Sequence, residues 1–421
     1  MKVLFIHQNF PAQYRHIATI LGQSPENELV AIAKRDDANI PGVRVIKYAP
    51  KREAHKNIHH YLREMENHVL HGQEVARVMS ELRQQGFRPD IVCGHPGWGE
   101  TLYVKDVFPK ATLLTYCEFY YRGQGADVGF DPKEPPTLDT LCRVRTKNAH
   151  LLLSLEASDH GVVPTRWQWQ QHPAELRGKL SIIHDGIRAD IAKPDPAARL
   201  ILPGGEVFAA GEEIVTYVAR NLEPYRGFPS FMRAAGMILK RRPKTRILVV
   251  GADGVSYGGK RADGRGYREA LLDEVDLDRS RIHFLGHLPY DKFIQVLQVS
   301  AAHIYLTIPF VLSWSMLESM SAGCLVVGSN TPPVAEVIRD GENGLLVDFF
   351  DPESIAAGVN RALDHPDRMA ALRRKARQTI MAKYELSRCV EQQIALIRQV
   401  AGGQVKVARP TPKVQPKTRR R

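Results

Sequence analysis

Short apolar runs alternate with longer amphipathic stretches along most of the chain. A short apolar run between polar or glycine-rich segments is typical of a buried parallel strand, whereas apolar residues recurring every three or four positions predict a helix. The strands predicted in this way are residues 3–6, 29–33, 43–47, 90–93, 111–116, 214–219, 246–250, 282–285, 325–327 and 344–347. Residues 151–155, the PTRWQWQQHP segment and residues 180–183 complete the first half. The predicted helices between them are residues 12–21, 55–85, 229–240, 267–275, 290–299 and 352–363. Such alternation indicates an α/β protein built on parallel sheets.

The chain is long enough for more than one domain. Its 421 residues exceed what one hydrophobic core usually supports. Between the two series of strands the composition shifts to Ala, Pro, Asp and Arg, which is typical of a linker. We therefore predict two doubly wound, Rossmann-like domains at residues 1–190 and 211–385, joined by a linker at 191–210. Two such sheets leave a central cleft between their strand ends, and a phosphate-bearing ligand would suit that cleft.

Several protein classes are disfavoured by what the sequence lacks. No window approaches about eighteen consecutive apolar residues, so no membrane span is predicted, and the first ten residues are expected to form a strand rather than a signal peptide. The first strand–loop–helix unit has no G-x-G-x-x-G, so the dinucleotide-binding fingerprint is absent. The cysteines show no paired or metal-type spacing, and we interpret them as reduced thiols, mostly in the core, of a cytoplasmic protein. They are Cys93, Cys117, Cys142, Cys324 and Cys389.

The net charge of +12 is concentrated at the end of the chain. Seven Lys or Arg residues and no acidic residue follow position 403. By composition, residues 403–421 are expected to be a disordered basic tail. A solvated terminus is the commonest fate of such a tail, and adhesion to anionic lipid headgroups, at about 1 kcal/mol per basic residue, is the functional alternative. Nucleic acid is the weaker option because no aromatic residue is interleaved with the charges.

The segment 308–329, IPFVLSWSMLESMSAGCLVVGS, predicts a loop, a helix, a glycine stop and a buried strand in succession. Ser313 or Ser315 can cap this helix, and Gly323 can end it. The free amides at the start of such a helix suit phosphate. Glu318 has two interpretations. Its spacing from Ser315 is that of a capping box, which is favoured on local grounds alone, but its carboxylate could instead accept hydrogen bonds from the hydroxyls of a nucleotide ribose.

Cations and glycines at other strand ends of the second half indicate the same kind of ligand. Arg220 at the end of one strand and Arg226 just before a helix can converge on a diphosphate and stabilise the charge of a departing nucleotide. Two exposed surface arginines are the alternative. The predicted phosphate-binding residues are Arg220, Arg226, Ser313, Trp314 and Ser315. A glycine-rich loop that includes Gly251, Asp253 and Gly254 would permit the close approach of a base or ribose.

Polar residues follow two of the strands predicted in the first half. His95 lies in a glycine-rich turn after one strand, where it could hydrogen-bond a sugar hydroxyl or brace the turn. Glu118 follows the next strand, and a long Gly- and Pro-rich loop then runs to Pro136 and is expected to cover an acceptor. The histidines of the predicted helix 55–85 are interpreted as a solvated face rather than metal ligands. They are His55, His59, His60, His68 and His71.

Four segments in order resemble the donor-binding domain of the retaining glycosyltransferases of family 4, which have the GT-B fold. They are Arg220 with the distal EPYRG, then FLGHLPYDKF, SWSMLESMSAGCLVVGS and VAEVIRDGENGLLV. The resemblance covers most of the chain and is strongest over residues 214–363. It implies two Rossmann-like domains that face a central cleft, with the donor on the second domain and the acceptor beside the first. It also implies a last helix, 386–402, that packs back on the first domain.

The resemblance assigns roles to particular positions. Glu318 resembles the second glutamate of the E-x7-E motif, which binds the donor ribose, and Arg220 and Arg226 resemble the Arg and Lys pair on the diphosphate. Phe310 stands where the first glutamate, which contacts the transferred sugar, is usual. The glycine pair usual in the first loop is also absent. The donor-sugar region is then Phe310, Val311 and Leu312, and the implied catalytic positions are His95 and Glu118, near which relatives carry an active-site His or His–Asp pair.

The implied activity is retaining transfer of a sugar from a UDP- or GDP-linked nucleotide diphosphate sugar to a glycan or glycolipid, in cell-surface polysaccharide synthesis. No metal and no cofactor are expected, so the protein supplies orientation and electrostatics. We expect a cytoplasmic protein with peripheral contact to an anionic inner membrane face and no specific nucleic-acid partner. Two alternatives stay open: a GT-B epimerase or phosphorylase, and, because of Phe310, a non-catalytic nucleotide-sugar-binding protein.

Overall fold

The computed structural model describes residues 1–35 and 37–403, and two parallel sheets organise it. The first sheet has the order β3-β2-β1-β4-β5-β6-β7. Its strands, β1 to β7, are Lys2–Ile6, Glu28–Ala33, Val43–Lys47, Ile91–Gly94, Thr112–Tyr116, His160–Val163 and Leu180–Ile182. A short antiparallel ribbon of β8 and β9, Arg199–Ile201 and Val207–Ala209, follows. Because every pair of neighbours in the first sheet is parallel, each crossover must pass over one of its faces.

The second sheet has the order β12-β11-β10-β13-β14-β15 and is also parallel. Its strands, β10 to β15, are Ile214–Asn221, Arg246–Ala252, Ile282–Phe284, Ala302–Tyr305, Leu325–Ser329 and Leu345–Val347. The helices, α1 to α14, are Arg15–Gly22, Arg63–Gln84, Val104–Val107, Leu138–Lys147, Ala149–Ala157, Arg166–Gln171, Phe228–Arg241, Tyr267–Glu274, Tyr290–Gln298, Trp314–Ala322, Pro332–Ala335, Pro352–Asp364, Pro366–Lys383 and Leu386–Ala401. The prediction of two doubly wound domains is confirmed.

The continuous apolar character of the strands follows from burial of both sheet faces. In β1, Val3 and Phe5 pack into one hydrophobic cluster, whereas Leu4 and Ile6 pack into another on the opposite face. Alternate residues of a strand point to opposite faces, so helices must cover both. The strand order reverses direction at β1 in the first sheet and at β10 in the second. The carboxyl ends of strands at such switch points form the crevice where α/β proteins bind ligands.

The chain crosses between the domains twice at one place. After β7 it enters the second domain, and helix α14 returns to pack Val390, Ile394 and Ile397 into the cluster that contains Phe5. At the crossing, the Ile187 amide donates to the Tyr384 carbonyl at 2.7 Å, and the Leu386 amide donates to the Ile187 carbonyl at 3.0 Å. The two segments that cross between the domains are therefore hydrogen-bonded to each other.

Three elements differ from the prediction. The helix predicted at 55–85 begins only at Arg63, because the Glu66 carboxylate accepts the His55 amide and folds the preceding segment back onto the first turn. The predicted helix 12–21 likewise begins at Arg15, after a single 3-10 turn. Strand β13 was not predicted because His303 interrupts its apolar run. His303 is fully buried and bonded to Thr216 Oγ1 at 2.8 Å, so a polar residue occupies a core position.

Other expectations were incomplete. Part of the predicted linker 191–210 forms the ribbon β8–β9, because Leu200 and Phe208 pack on the second domain. Strand β6 and helix α13 were not predicted. Four cysteines are buried free thiols, but Cys142 is exposed. Among the residues described, none of the helices combines the length and apolarity needed to cross a membrane. The predicted basic tail lies outside the described residues from position 404 onward.

Candidate active site

Helix α10 presents its first turn to the cleft. Ser313 is the N-cap, since its Oγ accepts the Ser315 amide at 3.3 Å, and its own amide donates to Tyr305 Oη at 2.8 Å. Gly323, with φ of 90°, ends the helix in the left-handed conformation that glycine adopts most easily. The predicted cap by Ser313 and the glycine stop are both present. The Ser315 amide is engaged by this cap, so the Trp314 amide and the positive end of the helix dipole are what the first turn offers to an anion.

Glu318 does not form the capping box that local spacing favoured. Its Oε1 instead accepts a hydrogen bond from Tyr290 Oη on α9, at 2.8 Å, and Ser315 Oγ bonds Ser313 Oγ. That expectation was wrong because a partner 28 positions earlier in the chain takes the carboxylate. Burial raises the pKa of Glu318 above its ordinary value, with the hydrogen bond from Tyr290 opposing the rise. The Glu318 side chain is half-buried and lies on α10 about one turn after the first-turn amides.

The two arginines of the second domain have different environments. Arg226 is buried, and its Nη1 donates to Thr307 Oγ1 at 2.7 Å and to the Val311 carbonyl at 3.2 Å. It is therefore tied to the loop that leads into α10 rather than lying free on the surface. Arg220, near the end of β10, is exposed, and its positive charge reaches Glu118 of the first domain. Both cations thus border the cleft.

The carboxylate of Glu223 organises the glycine-rich loop after β11. It is fully buried and accepts three backbone amides, from Ser256 at 3.1 Å and from Tyr257 and Gly258 at 3.1 and 2.9 Å. Three N–H donors converging on one carboxylate form a strong charge-assisted set. Glu223 was not singled out from the sequence, although it begins the EPYRG segment. The available signal is an acidic residue three positions before Arg226 in the same segment.

The glycines predicted to approach a nucleotide have structural neighbours of their own. A Cβ on Gly251, whose φ is 153°, would lie 2.7 Å from the Ala219 carbonyl oxygen, so glycine is required for β11 to lie against β10. Asp253 pairs with Arg268 at 2.5 Å, and a Cβ on Gly254 would meet Asn221. Packing within the domain explains these residues without a ligand.

We expect Glu223→Ala to release the loop at 256–258 while the sheet stays folded. Each amide loses its acceptor, so hydrogen exchange of these three amides should accelerate about tenfold or more. Exchange measured by mass spectrometry on loop peptides checks this, with Glu223→Gln, which keeps one acceptor oxygen, as the intermediate control. Unchanged exchange in Glu223→Ala would show that the loop is held by other contacts.

In the first domain, His95 and Glu118 face each other across the ends of β4 and β5. His95 Nδ1 accepts the Gly97 amide at 3.1 Å, so a neutral ring carries its proton on Nε2, which lies 3.6 Å from Glu118 Oε2. His95 therefore braces the turn and also presents a donor. Burial alone would raise the pKa of Glu118, but the hydrogen bond and charge of His95, the charge of Arg220 and a hydrogen bond from Gln13 outweigh it and lower the pKa.

Aromatic rings hold His95 in place. It stacks on Trp98 with centroids 4.7 Å apart and on Tyr116 at 5.6 Å, and the His7 ring meets it edge-on at 5.0 Å. Burial and the neighbouring His95 lower the pKa of His7 to about 2, so His7 stays neutral. His7 was missed by sequence reasoning, although it is the first polar residue after the first buried strand.

A cavity of about 760 Å³ connects the two domains. Its walls include His95, Trp98 and Glu118 from the first domain and Tyr257, Phe310 and Val311 from the second. Phe310 is buried in an aromatic cluster, with ring centroids 4.6 Å from Phe119 and 4.9 Å from Tyr257. Leu312, the third residue of the predicted donor-sugar region, is buried in the core beneath α10. The side chains that surround Phe310 in this wall are aromatic.

Two expectations about the first domain need correction. His68 and His71 are not part of a solvated face: they are half-buried and line the cavity, and only His55, His59 and His60 are exposed. The long loop before Pro136 does not simply cover the cavity either. Asp127 accepts a hydrogen bond from Tyr225 Oη at 3.2 Å, and Phe130 stacks on Phe350, so the loop reaches the second domain. Long-range partners of this kind are invisible to a local pattern.

Comparison with known proteins places this site in a family context. The model of the glycosyl transferase family 4 group matches residues 25–192, and that of the glycosyl transferases group 1 matches residues 204–379. D-inositol 3-phosphate glycosyltransferases from Rhodococcus jostii and Thermobispora bispora are each 26% identical, over 203 and 201 residues. Each match covers 46% of this chain and 43% or 44% of the relative, so the chain spans less than half the length of these relatives.

Solved structures share the architecture. Sucrose-phosphate synthase from Thermosynechococcus elongatus superposes with a TM-score of 0.69 at 17% identity, covering 96% of this chain and all of the other. Anabaena HepE in complex with UDP and glucose gives a TM-score of 0.66 at 15% identity, covering 95% of this chain and all of the other. At such identities the likeness concerns the fold, and it confirms the predicted GT-B arrangement of two Rossmann-like domains.

Proposed function

This chain belongs to the family 4 and group 1 glycosyltransferases, and from that premise we propose that it transfers a sugar from a nucleotide diphosphate sugar to a glycan or glycolipid acceptor. One observation carries the proposal above the others. The loop that leads into α10 contributes Phe310 and Val311 to a cavity that His95 and Glu118 of the first domain also line, and Arg226 donates to the Val311 carbonyl. The structural neighbour HepE is described in complexes with UDP and with UDP-glucose, which supports a nucleotide-sugar donor.

On the donor side, each group has a distinct task. The Glu318 carboxylate accepts hydrogen bonds from the ribose hydroxyls, and Gly251, Asp253 and Gly254 border the base. The diphosphate lies against the first turn of α10, where the Trp314 amide and the hydroxyls of Ser313 and Ser315 are the donors, and between the guanidiniums of Arg220 and Arg226. These fixed positive groups stabilise the charge that grows on the departing diphosphate, so transfer proceeds without a metal and without a cofactor.

On the acceptor side, we assign transfer with retention of configuration. The bond between the anomeric carbon and the diphosphate oxygen breaks, and the acceptor oxygen attacks from the same face while its proton passes to the leaving phosphate. His95 Nε2–H and Glu118 orient the reacting sugar, since they line the cavity opposite the donor groups. Cell-surface polysaccharide synthesis in the cytoplasm, with the basic tail on an anionic membrane face, is the setting we propose.

Phe310 favours a second candidate. An apolar ring buried among Phe119 and Tyr257 supplies no acceptor for sugar hydroxyls. A protein that binds a nucleotide sugar without turning it over would tolerate such a wall. Turnover, rather than binding, separates the two candidates.

The test is titration of the protein with a panel of nucleotides and nucleotide sugars by calorimetry without added metal. We expect one nucleotide diphosphate sugar to bind selectively, and Arg220→Ala to weaken it about tenfold through loss of one charge-assisted contact. Lys240→Ala removes an exposed charge at the far end of α7 and serves as the matched control. Absence of any nucleotide binding would contradict the proposal, and binding without release of the sugar to water or acceptor would favour the second candidate.

A further inference from the structure

Asp185 joins the two domains through a single carboxylate oxygen. It lies just after β7, where the chain leaves the first domain, and is 8% exposed. Its Oδ2 accepts a hydrogen bond from Tyr116 Oη on β5 and another from Trp314 Nε1 on α10, both at 3.0 Å. Its Oδ1 is buried and has no hydrogen-bond partner among residues 1–35 and 37–403. A buried carboxylate that bonds two elements of different domains fixes their spacing.

Each partner belongs to one half of the candidate active site. Tyr116 carries the ring on which His95 stacks, at 5.6 Å and an interplanar angle of 26°. Trp314 is the first residue of α10 and follows the loop whose Phe310 and Val311 line the cavity. The chain of contacts from Trp314 through Asp185 and Tyr116 to His95 therefore links α10, on the side of the sugar donor, to the histidine on the side of the sugar acceptor.

Trp314 is itself unusual, because 43% of its surface is exposed while its indole N–H is committed to a buried acid. A large aromatic residue at the first turn of a helix gains little from burial when so much of it faces water. The hydrogen bond to Asp185 is the specific contact that fixes its orientation.

Two other hydrogen-bonded contacts between the domains lie away from α10. Glu336 accepts the amides of Arg166 and Trp167 at the start of α6, at 2.9 and 2.7 Å. Asp127 accepts from Tyr225, as described above. Neither touches α10, so Asp185 is placed to set how α10 is oriented relative to the first domain.

We propose that Asp185 is a positioning residue that holds the start of α10 in register with the His95–Glu118 pair, so that the donor sugar is presented to the acceptor. The inference deepens the proposed function and rests on it. Asp185 would leave nucleotide binding, which uses the second domain alone, nearly unchanged. It would act on the rate of transfer, which needs both domains in register.

The surroundings of Asp185 add a dependence on pH. Burial raises the pKa of Asp185 to about 7; the hydrogen bonds from Tyr116 and Trp314 and the charge of His95 oppose the rise, and the charge of Glu118 supports it. Asp185 also faces Tyr14 and Cys389, which stay protonated near neutrality because burial raises their pKa values. The ionised carboxylate accepts both hydrogen bonds fully. The link from Tyr116 through Asp185 to Trp314 should therefore weaken as pH falls through about 7.

The experiment is a double-mutant cycle of Asp185→Ala with Trp314→Phe, which removes only the indole N–H. We expect each single variant to lower kcat about tenfold with the nucleotide Kd changed less than about twofold, and the double variant to be no slower than Asp185→Ala. The acid limb of the wild-type kcat profile near pH 7 should disappear in Asp185→Asn. Trp169→Phe removes an indole N–H that bonds the Arg177 carbonyl within the first domain, and should leave kcat unchanged. Multiplying effects, or a wild-type rate in Trp314→Phe, would overturn the inference.

A second measurement does not depend on turnover. Spin labels at Glu81 on α2 and Lys240 on α7, both exposed, report the distance between the domains once the exposed Cys142 is replaced by serine. We expect a narrower distance distribution in the otherwise native protein than in the Asp185→Ala variant. An unchanged distribution would contradict the proposal that Asp185 fixes the spacing of the domains. Failure of the proposed function would instead appear as a native protein that binds no nucleotide sugar.

Discussion

Glu318→Ala is expected to weaken binding of the nucleotide about 100-fold. A carboxylate that accepts hydrogen bonds from two ribose hydroxyls contributes roughly 1.5 kcal/mol or more through each, and about 3 kcal/mol corresponds to two decades in Kd. Burial raises the pKa of this carboxyl, so the affinity should also fall as the solution is acidified from pH 8 toward pH 5, because a protonated carboxyl accepts less well. Calorimetry with the nucleoside diphosphate at both pH values measures each effect.

Tyr290→Phe is the control for this prediction. Tyr290 Oη donates to Glu318, so it competes with the ribose for the same oxygen or orients the carboxylate toward it. Removing the hydroxyl should leave affinity within about threefold of wild type, since Glu318 keeps its position on α10. If Glu318→Ala binds as tightly as wild type, or if Tyr290→Phe loses as much affinity, the carboxylate supports the helix packing rather than the nucleotide.

The contacts of Glu318 show that a local sequence pattern does not identify the hydrogen-bond partner of a side chain. Ser315 and Glu318 have the spacing of a capping box. In the structure, however, the Glu318 carboxylate accepts a hydrogen bond from Tyr290 on another helix, and Ser315 Oγ bonds Ser313 Oγ. Glu223 went unnoticed for the same reason, because its partners are amides more than thirty positions away. Residues whose function depends on distant contacts carry no periodic signal.

The strands were easier to predict, since burial of both faces leaves long apolar runs. Where the runs were interrupted, prediction failed: His303 bonded to Thr216 hides β13, and His160, bonded to Ser181, hides β6. A polar residue in a core strand is tolerated only when it is paired, and the pair is visible only after folding. Asp185 is the extreme case, because its two partners lie 69 and 129 positions away.

Arg226→Gln is expected to lower kcat/KM for the donor by about 100- to 1000-fold, the range found when a fixed group that stabilises developing charge is removed. Arg226 is anchored at Thr307 Oγ1 and at the Val311 carbonyl, both through Nη1, and its guanidinium lies 5.6 Å from the Tyr257 ring. Such anchoring means that the positive charge needs little reorganisation as the diphosphate departs. Hydrolysis of the nucleotide sugar in the absence of acceptor provides the rate.

Comparison with Glu318 makes the prediction specific to charge. Loss of Arg226 should weaken a nucleoside diphosphate and leave the unphosphorylated nucleoside unaffected, whereas loss of Glu318 should weaken both, because both carry the ribose. Arg226→Lys keeps the charge but cannot bond Thr307 and Val311 with the same geometry, so it should recover part of the rate. If Arg226→Gln binds both the nucleoside diphosphate and the nucleoside as tightly as wild type, Arg226 serves only to tie the loop before α10 to the turn before α7. Buried guanidiniums also support structure in this way.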